Sequence, residues 1–320
     1  MAGLKLNLSR SSKQLLSTFS GLFILGVAFT ILSPYFFSVN NLLTVATQTA
    51  VIVIIAIGQT YVLITGGIDL SIGSNIALSA IITAFCLKLS PDPTVPLVLA
   101  AILLGLLTGA LAGAINGTLI TFGNIPPFIA TLGTMTVVRG LALTLTKGLP
   151  VSGLPGKFTV LGTGSTLGIP NPVIIMVILA VLFGFILAKT KLGRHIYSVG
   201  SNFEAARLSG VNTKKTLITV YIFSGILAAA AGLIVAARII SAHPAAGDGY
   251  ELDAVASSVI GGTSTMGGEG LVAGTFIGAF VIGVLRNGLN LINVSPFIQK
   301  IVIGIVIVGS VFFDRIKRKD

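Results

Sequence analysis

Long apolar runs with almost no charge recur along this chain, and they leave few ways to fold it. Several reach roughly 18 to 23 residues, enough to cross a hydrocarbon core of about 30 Å as helix. Charged residues are 9% of 320 positions and hydrophobic residues 54%, whereas a soluble domain carries about a quarter charged residues. In lipid every backbone N–H and C=O must bond within the protein, which restricts spanning structures to helices and closed barrels. The alternation of polar and apolar residues that marks barrel strands is missing. The expected class is therefore an all-α polytopic membrane protein, and the 39 glycines suit helices whose backbones approach closely.

Hydropathy places about ten segments, at residues 15–32, 43–65, 73–87, 95–115, 128–146, 173–188, 216–236, 251–262, 271–285 and 296–313. The eighth is short, and glycine soon breaks it. The basic N-terminal flank followed by an apolar run has the look of a signal peptide. No small-residue cleavage site follows, so it is read as a retained first span. No soluble domain interrupts the chain, which is taken as one transmembrane domain over 1–320. The longest connection away from the basic loops, about 147–171, is rich in Gly, Pro, Ser and Thr and reads either as a small cap or as a surface loop.

The net charge of +11 raises the question of nucleic acid. The cations instead sit beside the spans, so no nucleic-acid partner is expected. Three flank the first span, six lie in an island over 189–215 (KTKLGRHIYSVGSNFEAARLSGVNTKK), and four lie in the tail, out of 20 in the chain. Lys and Arg near spans resist translocation, so both termini and the island are expected in the cytoplasm, with six crossings before the island. Arg139 alone falls inside an expected span. Cys86 has no partner cysteine in the chain and reads as packing; His195 and His243 read as surface residues.

Two glycine-rich breaks and a weak repeat suggest two related halves, as in many transporters. Gly66-Gly67 with Gly73 matches Gly261-Gly262 with Gly267-Gly268. Asn116-Gly117 with Pro127-Phe128-Ile129 matches Asn287-Gly288 with Pro296-Phe297-Ile298. The two pairings have different sequence offsets. At the first break Asp69, Ser71 and Ser74 offer polar groups. An acid at membrane depth is costly unless paired or wet. Two compatible readings stand: a cap on the following helix, or a place on a translocation path formed by Gly66, Gly67, Asp69, Ser71, Ser74, Gly261 and Gly262. Asp248, Glu251 and Asp253 read as a solvated outer rim.

Within the island, Ser201 and Glu204 have capping-box spacing, and Gly210 stands where a helix-ending glycine belongs. The two-turn helix between them is too short to stand alone in water. It must lie on lipid or dock on another protein, and docking is preferred. Small Ala205 and Ala206 permit close approach, with Phe203 and Leu208 as anchors.

TGGIDLSIGS, SNFEAARLSGV, GDGYELDAVASSVIGGTSTMGGEG and RNGLNLINV, in that order over about 32–313, resemble the permease subunit of bacterial ABC importers for monosaccharides, ribose permeases above all. The resemblance implies import of a monosaccharide, ribose ahead of xylose or allose, across the bacterial inner membrane. It implies a cytoplasmic ABC ATPase that carries the ATP and Mg, a periplasmic or lipid-anchored sugar-binding protein, and Asn202, Glu204, Ala205, Ala206, Ser209 and Gly210 as the ATPase-contacting loop. A single chain would build half a pore, so a second permease copy is expected. The chain has no GxxxxGK[ST] loop and no metal constellation, and no cofactor or enzymatic role is expected of it. The rival expectation is a stand-alone ion-coupled sugar carrier using Asp69.

Overall fold

A computed structural model of the chain describes residues 10–317. Lys5 of the N-terminal flank and Arg318 and Lys319 of the tail lie outside the described residues. In chain order the elements are α1 (Arg10–Leu32), α2 (Val39–Ile64), α3 (Ile72–Leu87), α4 (Val95–Thr121), α5 (Pro127–Thr146), β1 (Val151–Ser152), α6 (Gly156–Thr163), β2 (Ser165–Thr166), β3 (Ile169–Pro170), α7 (Asn171–Lys189), α8 (Lys191–Ser201), α9 (Phe203–Leu208), α10 (Thr213–Ile239), β4 (Ser241–Ala242), α11 (Tyr250–Ile260), α12 (Val272–Leu291) and α13 (Pro296–Lys317).

Seven of the described helices, α1, α2, α4, α5, α7, α10 and α12, are long and apolar enough to cross a membrane. The expected segment at 73–87 is α3, with 16 residues, and the one at 251–262 is α11, with 11. At a rise of about 1.5 Å per residue neither reaches across about 30 Å. Each is a half-helix preceded by non-helical chain. Residues 65–71 leave the end of α2 and turn back into the bundle before α3 starts. Residues 240–249 do the same between α10 and α11.

The order of the elements offers one register for the expected repeat. α2, the return segment, α3, α4 and α5 correspond in order to α10, its return segment, α11, α12 and α13. The pairing of Asn116-Gly117 and Pro127 with Asn287-Gly288 and Pro296 fits this order, because α5 and α13 both begin at those prolines. The pairing of Gly66-Gly67 with Gly261-Gly262 does not. The first pair follows α2, while the second joins α11 to α12, and its counterpart is the α3–α4 connection.

α2 and α10 form the centre. Every residue of α2 from Thr49 to Ile64 is buried. The Gly58 backbone lies against Ser224 of α10, and Gly109 and Gly113 of α4 face the backbone of Gly225 and Tyr221. These contacts have the small-residue packing expected where helices associate without a hydrophobic drive.

The two ends of the bundle differ. At one, Thr18 Oγ1 donates to Ile260 O (3.0 Å) and Gly268 N to Ile64 O (2.8 Å), which gathers α1, α2 and α11 beside α8 and α9. At the other, the 147–171 stretch is an ordered cap. β1 pairs antiparallel with β4, Val151 opposite Ala242, and Lys157 reaches Asp92 (2.8 Å).

Candidate docking and translocation site

The basic island is mostly helix. α8 carries Gly193, Ile196 and Val199 on its buried side, with Lys191, Arg194 and Ser198 outward. Tyr197 Oη donates to Gly270 O (2.6 Å), fixing α8 to the 261–271 loop. Burial pushes the Tyr197 phenol pKa upward, so it keeps the proton it donates.

α9 follows after one extended residue. Its cap is Asn202, whose Oδ1 accepts from Ala205 N (2.9 Å). The expected Ser201–Glu204 box does not form. α8 continues through Ser201, which shifts the cap by one residue, and Glu204 pairs with Arg207 instead (2.8 Å). That exposed pair contributes at most about 1 kcal/mol. The far end closes as anticipated at Gly210, with φ 82°. Gly210 N donates to Arg207 O (3.1 Å) and Val211 N to Ala206 O (3.1 Å), the paired bonds of a Schellman stop. Asn212 then caps α10 through Lys215 N (2.9 Å).

Ala206 is the one buried residue of α9 and faces the bundle. It seats the helix, so the exposed part of the expected docking surface is carried by its neighbours. Phe203, Glu204, Ala205, Arg207, Leu208 and Ser209 are exposed, Leu208 by 79%. A six-residue helix with one inward side chain presents nearly all of its surface.

At the end of α8 three segments meet backbone to backbone. A Cβ on Gly200 at the end of α8 would collide with the Ile64 carbonyl at the end of α2, and Gly267 lies against Gly200 O and Gly66 N. The two glycine-rich breaks therefore do meet, at the end of α2 and through Gly66 and Gly267. Gly261 and Gly262 lie to one side, Gly261 on the backbone of Gly274 in α12.

The return segment continues from Gly66 into the interior. Gly67 faces the Tyr221 hydroxyl. Asp69, 1% exposed, accepts from Ser71 N (2.9 Å) and Ser71 Oγ (2.6 Å) on Oδ1 and from Ser224 Oγ (2.7 Å) on Oδ2. Asn116 Nδ2 donates to Ser71 Oγ (2.8 Å), and Ser74 Oγ donates to Ser71 O (2.9 Å). Asp69 thus caps the turn into α3 and ties it to α10, while Ser71 ties it to α4. Sequence reading found Asp69, Ser71 and Ser74. Ser224 and Tyr221 carry no local signal, being small or amphipathic residues inside an apolar helix.

The N-termini of the half-helices abut, with Gly73 of α3 against Gly247 and Glu251. Arg139 Nη1 donates to Pro244 O (2.6 Å) and Ala246 O (2.9 Å) of the second return segment. Asp248 is exposed and Glu251 half-buried beside it. The expected rim is corrected at Asp253. It is 1% exposed, and both its oxygens accept from Arg286 Nη2 at 2.7 Å. A single buried carboxylate on α11 finds its cation on α12, 33 residues onward.

Seven helices long and apolar enough to cross a membrane, abutting half-helices, a tethered return segment and an exposed helix at one end have the build of a polytopic membrane permease. Residues 41–311 match the family described as branched-chain amino acid transport system / permease component, and the chain belongs to that family. It is 49% identical over 306 residues, 95% of the chain and 94% of the relative, to the ribose import permease protein RbsC of Bacillus subtilis (strain 168). It is 44% identical to that of Escherichia coli (strain K12), over 90% of the chain and 89% of the relative. The D-allose transport system permease protein AlsC of Escherichia coli (strain K12) is 39% identical over 94% of the chain and 92% of the relative. No solved structure matches the chain.

Proposed function

We propose that this chain, acting as a single permease domain, is the membrane subunit of an ATP-driven importer that carries a monosaccharide, ribose first, into the bacterial cytoplasm. The curated relatives named as ribose import permeases support the sugar. The observation that carries the mechanism is α9, a capped and stopped helix seated by one alanine and exposed elsewhere.

A cytoplasmic ABC ATPase, holding ATP and Mg, docks on α9, and both chain termini share that side. Its closure pushes α9 against the Gly200–Ile64–Gly267 junction. The push reaches Asp69 along 65–71 and α10 through Ser224. The energy is the difference in ATPase affinity between the two permease states. The path passes the abutting ends of α3 and α11. Charges such as Arg139 and Asp248 at that depth face water or protein rather than lipid, so a second permease copy stands across from α5. A periplasmic or lipid-anchored sugar-binding protein delivers the sugar at the capped end.

Reconstitution with the ATPase and binding protein tests this reading. Uptake of labelled ribose should require ATP and both partners. Uptake driven by an imposed H⁺ or Na⁺ gradient without the ATPase would replace it with an ion-coupled carrier.

A further inference from the structure

An apolar trough of about 580 Å³ lies open on the flank between α7 and α12, lined by Val177, Gly184 and Leu187 of α7, Tyr197 of α8, and Val272 and Phe276 of α12. It plays no part in docking or transport as described above. α5, the helix assigned to the second copy, packs elsewhere, on α3 and α4. From Val177 to Ala188 the trough follows twelve residues of α7, eleven rises of about 1.5 Å or about 16 Å. That matches one leaflet of a hydrocarbon core about 30 Å thick. Its single phenolic hydroxyl, Tyr197, is already bonded to Gly270 O, so the interior asks for a hydrocarbon partner.

The two mouths differ in charge. At the Val177 mouth the α7 wall continues as apolar helix. At the other, α7 ends in Ala188-Lys189, and α8 begins at Lys191 with Arg194 one turn before Tyr197; all three cations are exposed. The 261–271 loop adds one acid, Glu269. A hydrocarbon slot of one-leaflet depth with cations at its cytoplasmic lip has the complementarity of an anionic phospholipid, one acyl chain below and a phosphate above. We propose that this trough is a binding site for an anionic phospholipid of the inner leaflet, with Lys189, Lys191 and Arg194 holding the headgroup phosphate.

The chain has no tryptophan, so one introduced indole reports on one place. Val181 lines the trough and is 67% exposed; Phe23 on α1 is 65% exposed and remote in sequence. The full chain carrying Val181→Trp or Phe23→Trp is placed in phosphatidylcholine vesicles containing phosphatidylglycerol, with one lipid or the other dibrominated. Each surface cation adds about fivefold to anionic lipid attraction. Quenching at Val181→Trp should therefore favour phosphatidylglycerol about tenfold or more, and Phe23→Trp should show near parity. Adding Lys189→Gln, Lys191→Gln and Arg194→Gln should bring Val181→Trp to parity while leaving quenching by phosphatidylcholine, which also shows the variant still folded in the bilayer. Parity at Val181→Trp with the cations intact overturns the proposal. So does protection from both lipids, the outcome expected if a second copy of the chain fills the trough.

Discussion

Ala205 and Ala206 are neighbours with opposite duties. Ala205 faces outward, and Ala206 faces the bundle. Ala205→Glu should leave membrane yield normal and reduce ATP-driven uptake at least tenfold, because a charge then stands on the docking face. Ala206→Glu should lower folded yield, because the same charge is pressed into the protein. Equal yield and equal uptake for the two, measured at matched expression, would contradict the seating assigned to Ala206. The Asp253–Arg286 pair makes a second residue-scale prediction. Removing one member of a fully buried pair costs up to about 3–5 kcal/mol, less where, as here, the arginine left behind is a third exposed, and replacing both with apolar residues costs far less. Asp253→Ala should lower the thermal midpoint of the detergent-solubilised protein clearly. Asp253→Ala combined with Arg286→Met should recover much of that loss. The sequence hid this pair because its members sit on different elements with no periodic relation.

The element scale separates what hydropathy reveals from what it conceals. Each uninterrupted helix announces itself, since one run of apolar residues is sufficient to cross. The half-helices do not. α3 looks like any short span until the fold shows residues 65–71 turning inward to meet it, and α11 looks like a damaged span. Gly66-Gly67 and Gly261-Gly262 look alike locally, yet the first follows α2 and the second joins α11 to α12, a difference that only the element order reveals. The short helix α9 was legible from Gly210 and from its own brevity. Its cap was misplaced because Ser201 serves equally well as the last residue of α8, and local spacing does not choose between them. At the first return segment, Asp69 accepts bonds from Ser71 and Ser224. Asp69→Ala strands those donors, at about 1–3 kcal/mol for each buried group left unpaired. Asp69→Asn keeps an acceptor oxygen. Uptake should fall at least tenfold in Asp69→Ala and far less in Asp69→Asn, with ATPase co-purification unchanged in both. Loss of co-purification in step with uptake would reduce Asp69 to a structural cap.

At the scale of the whole molecule, one end carries the exposed helix α9 and the other the ordered cap of 147–171. Between them the N-terminal ends of α3 and α11 abut. Under the proposed mechanism, a push on α9 passes by way of α8 to the junction of Gly200, Ile64 and Gly267 and on to the Asp69 turn. The claim beneath this arrangement is that α9 meets the ATPase on the cytoplasmic side. Leu208→Cys, made with Cys86→Ser so that the thiol is unique, puts a label site on an apolar residue of α9 that is 79% exposed. An impermeant maleimide should label it in inside-out vesicles, fail to label it on intact cells, and lose access when the ATPase is bound. Labelling on intact cells, or labelling in inside-out vesicles that the bound ATPase leaves undiminished, would contradict the account.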